Sequence, residues 1–330
     1  ACLDHVFERK RATCLVNPFA AYEAEWRVEH AATPRRVAVV GAGPAGLACA
    51  TTAARRGHQV TLFEASDRIG GQFNLAKRIP GKAEFEHTLR YFEHRLAETG
   101  VTVRLGTRAT AQALKDGGFD HVVLATGVSP RHVNLPGGDH PKVLSYLDVL
   151  RDDAPVGDRV AIIGAGGIGF DVAEFLAHKQ PDESAQGYYA EWGIDTSLAA
   201  PGGLTEPKPH PVDRQITLCQ RRPGKLGANL GKTTGWIHRS SLKAKGVEML
   251  AQCTYLKVDD AGLHLEVAGQ PRVLPVDHVI VCAGQVPFHP LEAELQAAGI
   301  PVQRIGGADV AAELDAKRAI RQGTEVACAL

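Results

Sequence analysis

The sequence has no long apolar run. No stretch approaches the roughly 20 consecutive apolar residues a membrane-spanning helix requires, which argues against a bilayer span. It also lacks an excess of either charge. Lys+Arg and Asp+Glu both number 37, so bulk electrostatics recruits neither nucleic acid nor an acidic membrane. Methionine is almost absent. The one present is Met249 and the chain opens on Ala1, so a fragment or a trimmed product is expected. Residues 1–15 carry charges throughout, unlike a signal peptide. The seven cysteines form no disulfide framework and no C-x-x-C pair, which suits a reducing cytoplasm and counts against a thioredoxin-reductase-type dithiol. None of the fourteen histidines pairs with cysteine at zinc spacing, and His210 stands alone among prolines. Gly231-Lys232-Thr233 imitates the end of a P-loop, but that spacing needs a glycine where Leu226 stands.

What is present is a globular composition, 44% apolar and 22% charged, in a length that accommodates two domains. Residues 37–64 read as strand, glycine-rich turn, Ala-rich helix and second strand. This is a βαβ unit carrying the dinucleotide fingerprint. Gly41 makes the tight turn, Gly43 lets backbone approach a pyrophosphate, and Gly46 allows helix and strand to pack closely. The helix N-terminus presents free N–H groups to the phosphates. Glu64, at the end of the second strand, stands where an acid takes the ribose hydroxyls. A loop with Gly70-Gly71-Gln72 follows, then a helix over about 83–99 with Phe85, Leu89, Phe92 and Leu96 on one face. Strands are expected at 101–104 and 121–124, the latter ending in Ala125-Thr126-Gly127.

The plan then recurs. Arg159–Ile163 reads as a strand, Gly164, Gly166 and Gly169 open a helix to about Lys179, and a strand at 215–219 ends in Gln220-Arg221-Arg222. A strand at 278–282 ends in Ala283-Gly284, echoing the earlier small-residue turn. Glu64 suits an unphosphorylated ribose, as in FAD or NAD. A guanidinium pair at the matching place accepts a 2′-phosphate through charge-assisted bonds, which points to NADPH. A solvated arginine pair at a strand end is the alternative. The fold class expected is therefore α/β, two Rossmann-like dinucleotide-binding domains with the NADPH domain inserted into the FAD domain. The boundaries are 1–32 for a loop-rich lead-in, 33–153 plus 285–330 for FAD, and 154–284 for NADPH. Residues 181–212, rich in Pro and Gly, read as an irregular insertion. The tail reads as Ile305 to Val310 followed by a helix over 311–322, with Asp309 either a flavin-site acid or a helix N-cap.

With these pieces together the chain resembles the C-terminal part of bacterial NADPH-dependent 2,4-dienoyl-CoA reductases, with trimethylamine dehydrogenase a relative of the same architecture. The stretches that carry the resemblance are 1–4, 14–18, 70–74, 191–195, 231–239 and 305–323. The resemblance implies an N-terminal FMN barrel, in the same polypeptide or a partner chain, and a [4Fe–4S] cluster whose motif is C-x2-C-x3-C-x11-C. Cys2 and Cys14, with eleven residues between them, match its last two ligands. Two ligands do not hold a four-iron centre, so this chain alone is expected to lack an intact one. Without the resemblance, two buried free thiols are the natural reading. The implied reaction is hydride transfer from NADPH to FAD. Electrons then pass singly through the cluster to FMN, which reduces a 2,4-dienoyl-CoA in unsaturated fatty acid β-oxidation. The implied FAD contacts are Gly41, Gly43, Ala45, Gly46 and Glu64. Gln72, Lys82 and Ala109 add to its adenosine and phosphate half, and Gly127 and Asp309 lie near the flavin. Gly164, Gly166, Gly169, Arg221 and Arg222 would hold NADPH. Thr234 and Trp236 face either the nucleotide cleft or a packed helix interface. A structural ADP-binding module is the competing function.

Overall fold

Aliphatic runs closed by glycine define the strands, and apolar residues at three- and four-residue spacing define the helices. The computed structural model describes residues 2–178, 184–209, 212–312 and 315–330. A short helix α1 (Cys2–Phe7) opens a lead-in that is otherwise irregular. Next come β1 (Arg36–Val40), α2 (Pro44–Arg55) and β2 (Gln59–Phe63). Pro44 stands at the first turn of α2, where its missing N–H costs no intrahelical bond. They are followed by α3 (Phe73–Ala76), α4 (Phe85–Thr99), β3 (Thr102–Arg104), α5 (Ala111–Asp116) and β4 (His121–Leu124). Helix α4 buries Leu89, Phe92 and Leu96 and stops at Gly100, whose left-handed φ of 70° ends the helix.

The chain continues through β5 (Val128–Pro130), β6 (Val143–Ser145), α6 (Tyr146–Leu150), β7 (Arg159–Ile163), α7 (Gly167–Ala177), α8 (Ala185–Trp192), β8 (Gln215–Cys219), α9 (Gly235–Ala244) and β9 (Glu248–Leu250). An antiparallel meander, β10 (Cys253–Asp259), β11 (Gly262–Val267) and β12 (Gln270–Leu274), precedes β13 (His278–Val281). Then come β14 (Gln285–Pro287), α10 (Glu292–Ala297), β15 (Val302–Arg304) and α11 (Ala316–Ala329).

Two compact units result, one of residues 1–77, 82–129 and 285–330, the other of residues 78–81 and 130–284. Each is built on a five-stranded sheet, ordered β15-β4-β1-β2-β3 in the first and β6-β13-β7-β8-β9 in the second. Every pairing in both is parallel. The inner strands are aliphatic along their length because helices cover both faces of a parallel sheet. Val37, Ala38 and Val39 are fully buried, as are Val160, Ala161 and Ile162. The Rossmann-like α/β architecture expected from the two fingerprints is the one observed.

Three departures have physical causes. Residues 130–153 pack with the second unit rather than the first, because β6 pairs in parallel with β13 and completes that sheet. The insertion 181–212 holds a helix, α8, started by Ser184, whose hydroxyl accepts from Gly187 N–H, and ended by left-handed Gly193. The tail helix begins at Ala316, not 311, because Asp315 caps it: its carboxylate accepts from the Arg318 N–H at 2.6 Å. The lead-in closes on its own unit, with Arg321 of α11 stacked over Tyr22 and Trp26 at 5.0 and 4.9 Å.

Candidate functional site

The glycine loops are set by how closely three pieces of backbone meet. In the first unit Gly41 has a φ of 106°, and a Cβ there would lie 2.4 Å from the Ala125 carbonyl oxygen. A Cβ on Gly46 would lie 1.9 Å from the Gly41 oxygen. The second unit repeats this. Gly164 has a φ of 109° and a Cβ would meet the Cys282 oxygen at 2.5 Å, while one on Gly169 would meet the Gly164 oxygen at 1.8 Å. The hydrogen bonds are duplicated as well. Gly41 N–H donates to Phe63 and Gly164 N–H to Cys219, at 2.8 and 2.9 Å. Ala125 donates to Val40 and Cys282 to Ile163, both at 2.8 Å. The strand ending in Ala-Thr-Gly and the one ending in Cys-Ala-Gly thus close the two loops in the same way.

Gly43 and Gly166 play a different part. Open space surrounds the position of a Cβ at each. The first helical bonds, Leu47 to Gly43 and Phe170 to Gly166, leave the N–H groups before them without a backbone acceptor. Each loop therefore offers a small cradle of free N–H donors at a helix start, suited to a pyrophosphate. Ala45 contributes its N–H to the first cradle. A Cβ on Gly306 would come 2.8 Å from the Ala45 methyl, which brings the tail segment 306–309 to the start of α2.

The strand ends differ in charge. Glu64 follows β2; its Oε2 accepts from the Ala42 N–H at 2.8 Å and its Oε1 from the Ser66 N–H and hydroxyl, both at 2.9 Å. The carboxylate is thereby fixed at the edge of the glycine loop with lone pairs to spare. In the second unit the residue in Glu64's register is Gln220, one step beyond Cys219, and its N–H bonds to Leu250 as that of Glu64 bonds to Arg104. Arg221 and Arg222 follow, exposed, and no ion pair holds either guanidinium among the described residues.

Gln72 is brought to the first loop: Gly70 N–H donates to the Ala42 carbonyl, and a Cβ on Gly71 would come 3.0 Å from the Gly43 Cα. Gln72 follows, exposed. Lys82 is half-buried in the same unit, and Ala109 packs its methyl in a core with Phe63 and Leu124, leaving only its backbone for a ligand. Gly127 has a φ of 76° and receives the Phe288 N–H at 3.0 Å. Asp309 does not cap the tail helix, whose N-cap is Asp315. Its Oδ2 accepts from Gln322 Nε2 at 2.8 Å, while Gln322 Oε1 accepts from the Gly306 N–H at 2.7 Å. Sequence reasoning had no access to Gln322, which steadies Asp309 from thirteen residues away. Trp236 is 56% exposed, which removes the packed-interface reading within its own unit.

For the cysteines the outcome is divided. Cys14 is a half-buried free thiol, and the side chain of Cys2 lies outside the described residues, as does His210. No group of three or more His, Cys, Asp or Glu side chains converges among the described residues. Burial pushes the Cys49 thiol up to about 12, which marks it as inert core. A cavity of about 420 Å³ lined by Asn17, Phe19, Thr51, Arg55, Tyr91 and Arg95 lies on the far side of α2 and holds none of the nucleotide residues.

Comparison with known proteins agrees with the two-loop geometry. Residues 35–319 match the family described as pyridine nucleotide-disulphide oxidoreductase. The chain belongs to this family. It is thus an oxidoreductase of the type built from Rossmann-like FAD- and NAD(P)-binding domains. Among its relatives is a metal reductase of Desulforamulus reducens, 33% identical over 300 residues, covering 89% of this chain and 44% of that protein. A cinnamate reductase of Clostridium sporogenes is 36% identical over 311 residues, covering 93% of this chain and 41% of the relative. Among solved structures, a 2-naphthoyl-CoA reductase bound to 2-naphthoyl-CoA superposes with a TM-score of 0.84 at 27% identity, covering 100% of this chain and 45% of that one. The chain spans less than half the length of each of these relatives. No helix among the described residues is long and apolar enough to cross a membrane.

Proposed function

We propose that this chain is the NADPH-oxidising flavoprotein module of a longer reductase, FAD being held in the first unit and NADPH in the second. The observation that carries the reading is one loop built twice with different strand-end chemistry: Glu64 bonded to the Ala42 N–H in the first unit, and Gln220 followed by the exposed Arg221 and Arg222 in the second. A carboxylate there accepts from ribose hydroxyls and repels a 2′-phosphate; two guanidinium groups do the reverse. When bound, the nucleotides supply the hydride and its acceptor. The chain's part is to place them. Free N–H groups at Gly43, Ala45 and Gly46 and at Gly166 and Gly169 take the pyrophosphates. Gln72, Lys82 and the Ala109 backbone extend the first site toward adenosine, and Gly127 and Asp309 toward the flavin ring and its ribityl chain.

The remainder of the reading concerns what lies beyond this chain. Relatives named for cinnamate and for 2-naphthoyl-CoA reduce conjugated acyl groups, which agrees with a 2,4-dienoyl-CoA as the substrate. The FMN-bearing barrel and the substrate pocket belong to the missing part, so no residue here is assigned to substrate protonation. Cys2 and Cys14 are assigned as two ligands of a [4Fe–4S] centre completed outside this sequence. A cytoplasmic setting is part of the proposal, since free thiols persist in a reducing compartment.

The purified chain should show a flavin absorption spectrum that is bleached anaerobically by NADPH and far more slowly by NADH. A colourless protein that binds ADP alone would transfer it to the class of structural nucleotide modules.

A further inference from the structure

One cluster in the second unit is unused by the nucleotide loops, and it adjoins the arginine pair. Cys219 is the last residue of β8, in register with Leu250 of β9. Cys253 opens β10, and its Sγ donates to the Leu250 carbonyl at 3.5 Å. Both side chains enter one core with Leu263, Leu265 and Val279, 0% and 3% exposed, and the Cys253 N–H donates to the carbonyl of Gln220, the residue next to Cys219, at 2.9 Å. The Tyr255 hydroxyl is buried with no hydrogen-bond partner among the described residues.

The segment bearing Cys253 also clamps the arginine turn. Gln220 N–H donates to Leu250 O at 2.8 Å, Cys253 N–H to Gln220 O at 2.9 Å, and Gln252 N–H to Arg222 O at 3.2 Å. Gln220 Nε2 adds a bond to Arg222 O at 3.0 Å. Gln252 has a φ of 57°, a left-handed conformation uncommon for a residue with a side chain.

We propose that Cys219 and Cys253 form a reversible dithiol–disulfide site that is oxidised by a peroxide and, once oxidised, weakens dinucleotide binding at the Arg221–Arg222 turn. The two sulfurs differ in readiness. Cys253 is lowered to about 7, first by the neighbouring Cys219 thiol, with burial opposing and the Gln220 backbone bond and Arg272 assisting. Cys219 is raised, by the neighbouring Cys253 side chain and by burial. Cys253 is therefore the attacking thiolate and Cys219 the resolving thiol. The Cys253 sulfur attacks one peroxide oxygen, an S–O bond forms as the O–O bond breaks, and the departing hydroxide leaves as water after gaining a proton. Cys219 then attacks the sulfenic sulfur, the S–S bond forms, and the second oxygen leaves as water with the Cys219 proton. Two thiols and one hydrogen peroxide become one disulfide and two waters, each sulfur losing one electron. The two sulfurs must close to about 2.05 Å for this, so residues 250–253 shift and carry their backbone bonds to the arginine turn with them.

The effect on binding rests on the reading of Arg221–Arg222 as the 2′-phosphate site, and the test keeps the two apart. The full chain is treated with hydrogen peroxide, alkylated and digested. A linked Cys219–Cys253 peptide should be found, abolished by dithiothreitol and absent from Cys253→Ser. Titrated with NADPH, the oxidised protein should bind roughly tenfold more weakly, the size of one lost charge-assisted contact, with NADH affinity unchanged and full recovery on reduction. A folded, peroxide-treated wild-type chain with both thiols still free, or oxidised separately, overturns the site. This arm needs no variant. A disulfide that leaves NADPH affinity unchanged overturns the coupling. In that case the reduced Arg221→Ala, Arg222→Ala double variant tells which premise failed: lost NADPH selectivity there means the turn does not move, and unchanged selectivity means the arginines do not hold the phosphate.

Discussion

On the proposed reading, single residues decide which nucleotide goes where. Gly46 and Gly169 occupy equivalent places, and each excludes a methyl by a backbone contact under 2 Å. Gly46→Ala should therefore strip flavin from the purified chain, and Gly169→Ala should leave flavin bound while abolishing NADPH binding. Overpacking of this kind costs about 1–3 kcal/mol of stability besides. Absorption at the flavin band and NADPH titration read the two outcomes separately. If both variants lose both ligands, the two loops are not independent sites. The arginines supply the complementary case. Arg221→Ala with Arg222→Ala removes positive charge without touching the glycine loop, so KM for NADPH should rise and that for NADH stay nearly constant. Each lost charged hydrogen bond costs about 1.5–3 kcal/mol. An equal rise for both cofactors would make the pair structural. These positions were legible in the sequence because a glycine turn must lie between a strand and a helix, and the order of residues records both.

At the scale of elements, legibility falls with the sequence distance between partners. The inner strands could be read from their aliphatic runs. The meander could not: β12 is exposed along four of its five residues and β10 alternates irregularly, so neither gives a clean period. The same applies to Lys245, which follows α9. Its ammonium is 2% exposed and donates to Glu174 of α7 at 2.9 Å, with His178 Nδ1 at 3.0 Å and Glu191 of α8 at 3.8 Å. A buried cation thus ties the helix in the insertion to the body of its unit, through residues 54 to 71 positions away, and no local pattern announces it. Lys245→Met should cost about 3–5 kcal/mol in urea unfolding, since Glu174 is left as a buried charge without its cation. Adding Glu174→Leu should restore most of the loss. A single variant as stable as the wild type would mean that water reaches Glu174.

Across the whole molecule, the nucleotide loops crowd the carboxyl ends of the strands, and the opposite ends are left to set stability. Two histidines lie at that opposite edge of the first sheet. His58, just before β2, accepts the Arg35 N–H on Nδ1 at 3.1 Å, and its buried Nε2 has no partner among the described residues; nor has the Nε2 of His121, which opens β4. Both are held below the ordinary 6.5, chiefly by burial, with Arg56 and Arg35 adding to the effect at His58 and Arg35 at His121. A depressed histidine is neutral in the fold and binds more protons when unfolded. Its contribution is therefore complete above pH 6.5 and drains away as the pH falls below that value. The depressed carboxylates do not compete in this window: Asp277, held near 2 by Arg159, loses its contribution only below the usual 3.8. The urea midpoint should thus decline between pH 6.5 and 5, while nucleotide affinity, measured well below the unfolding temperature, stays flat because the histidines stand away from both loops. His58→Gln with His121→Gln should flatten the decline without altering the spectrum of bound flavin. A double variant that keeps the wild-type slope would place the acid-sensitive groups elsewhere in the fold.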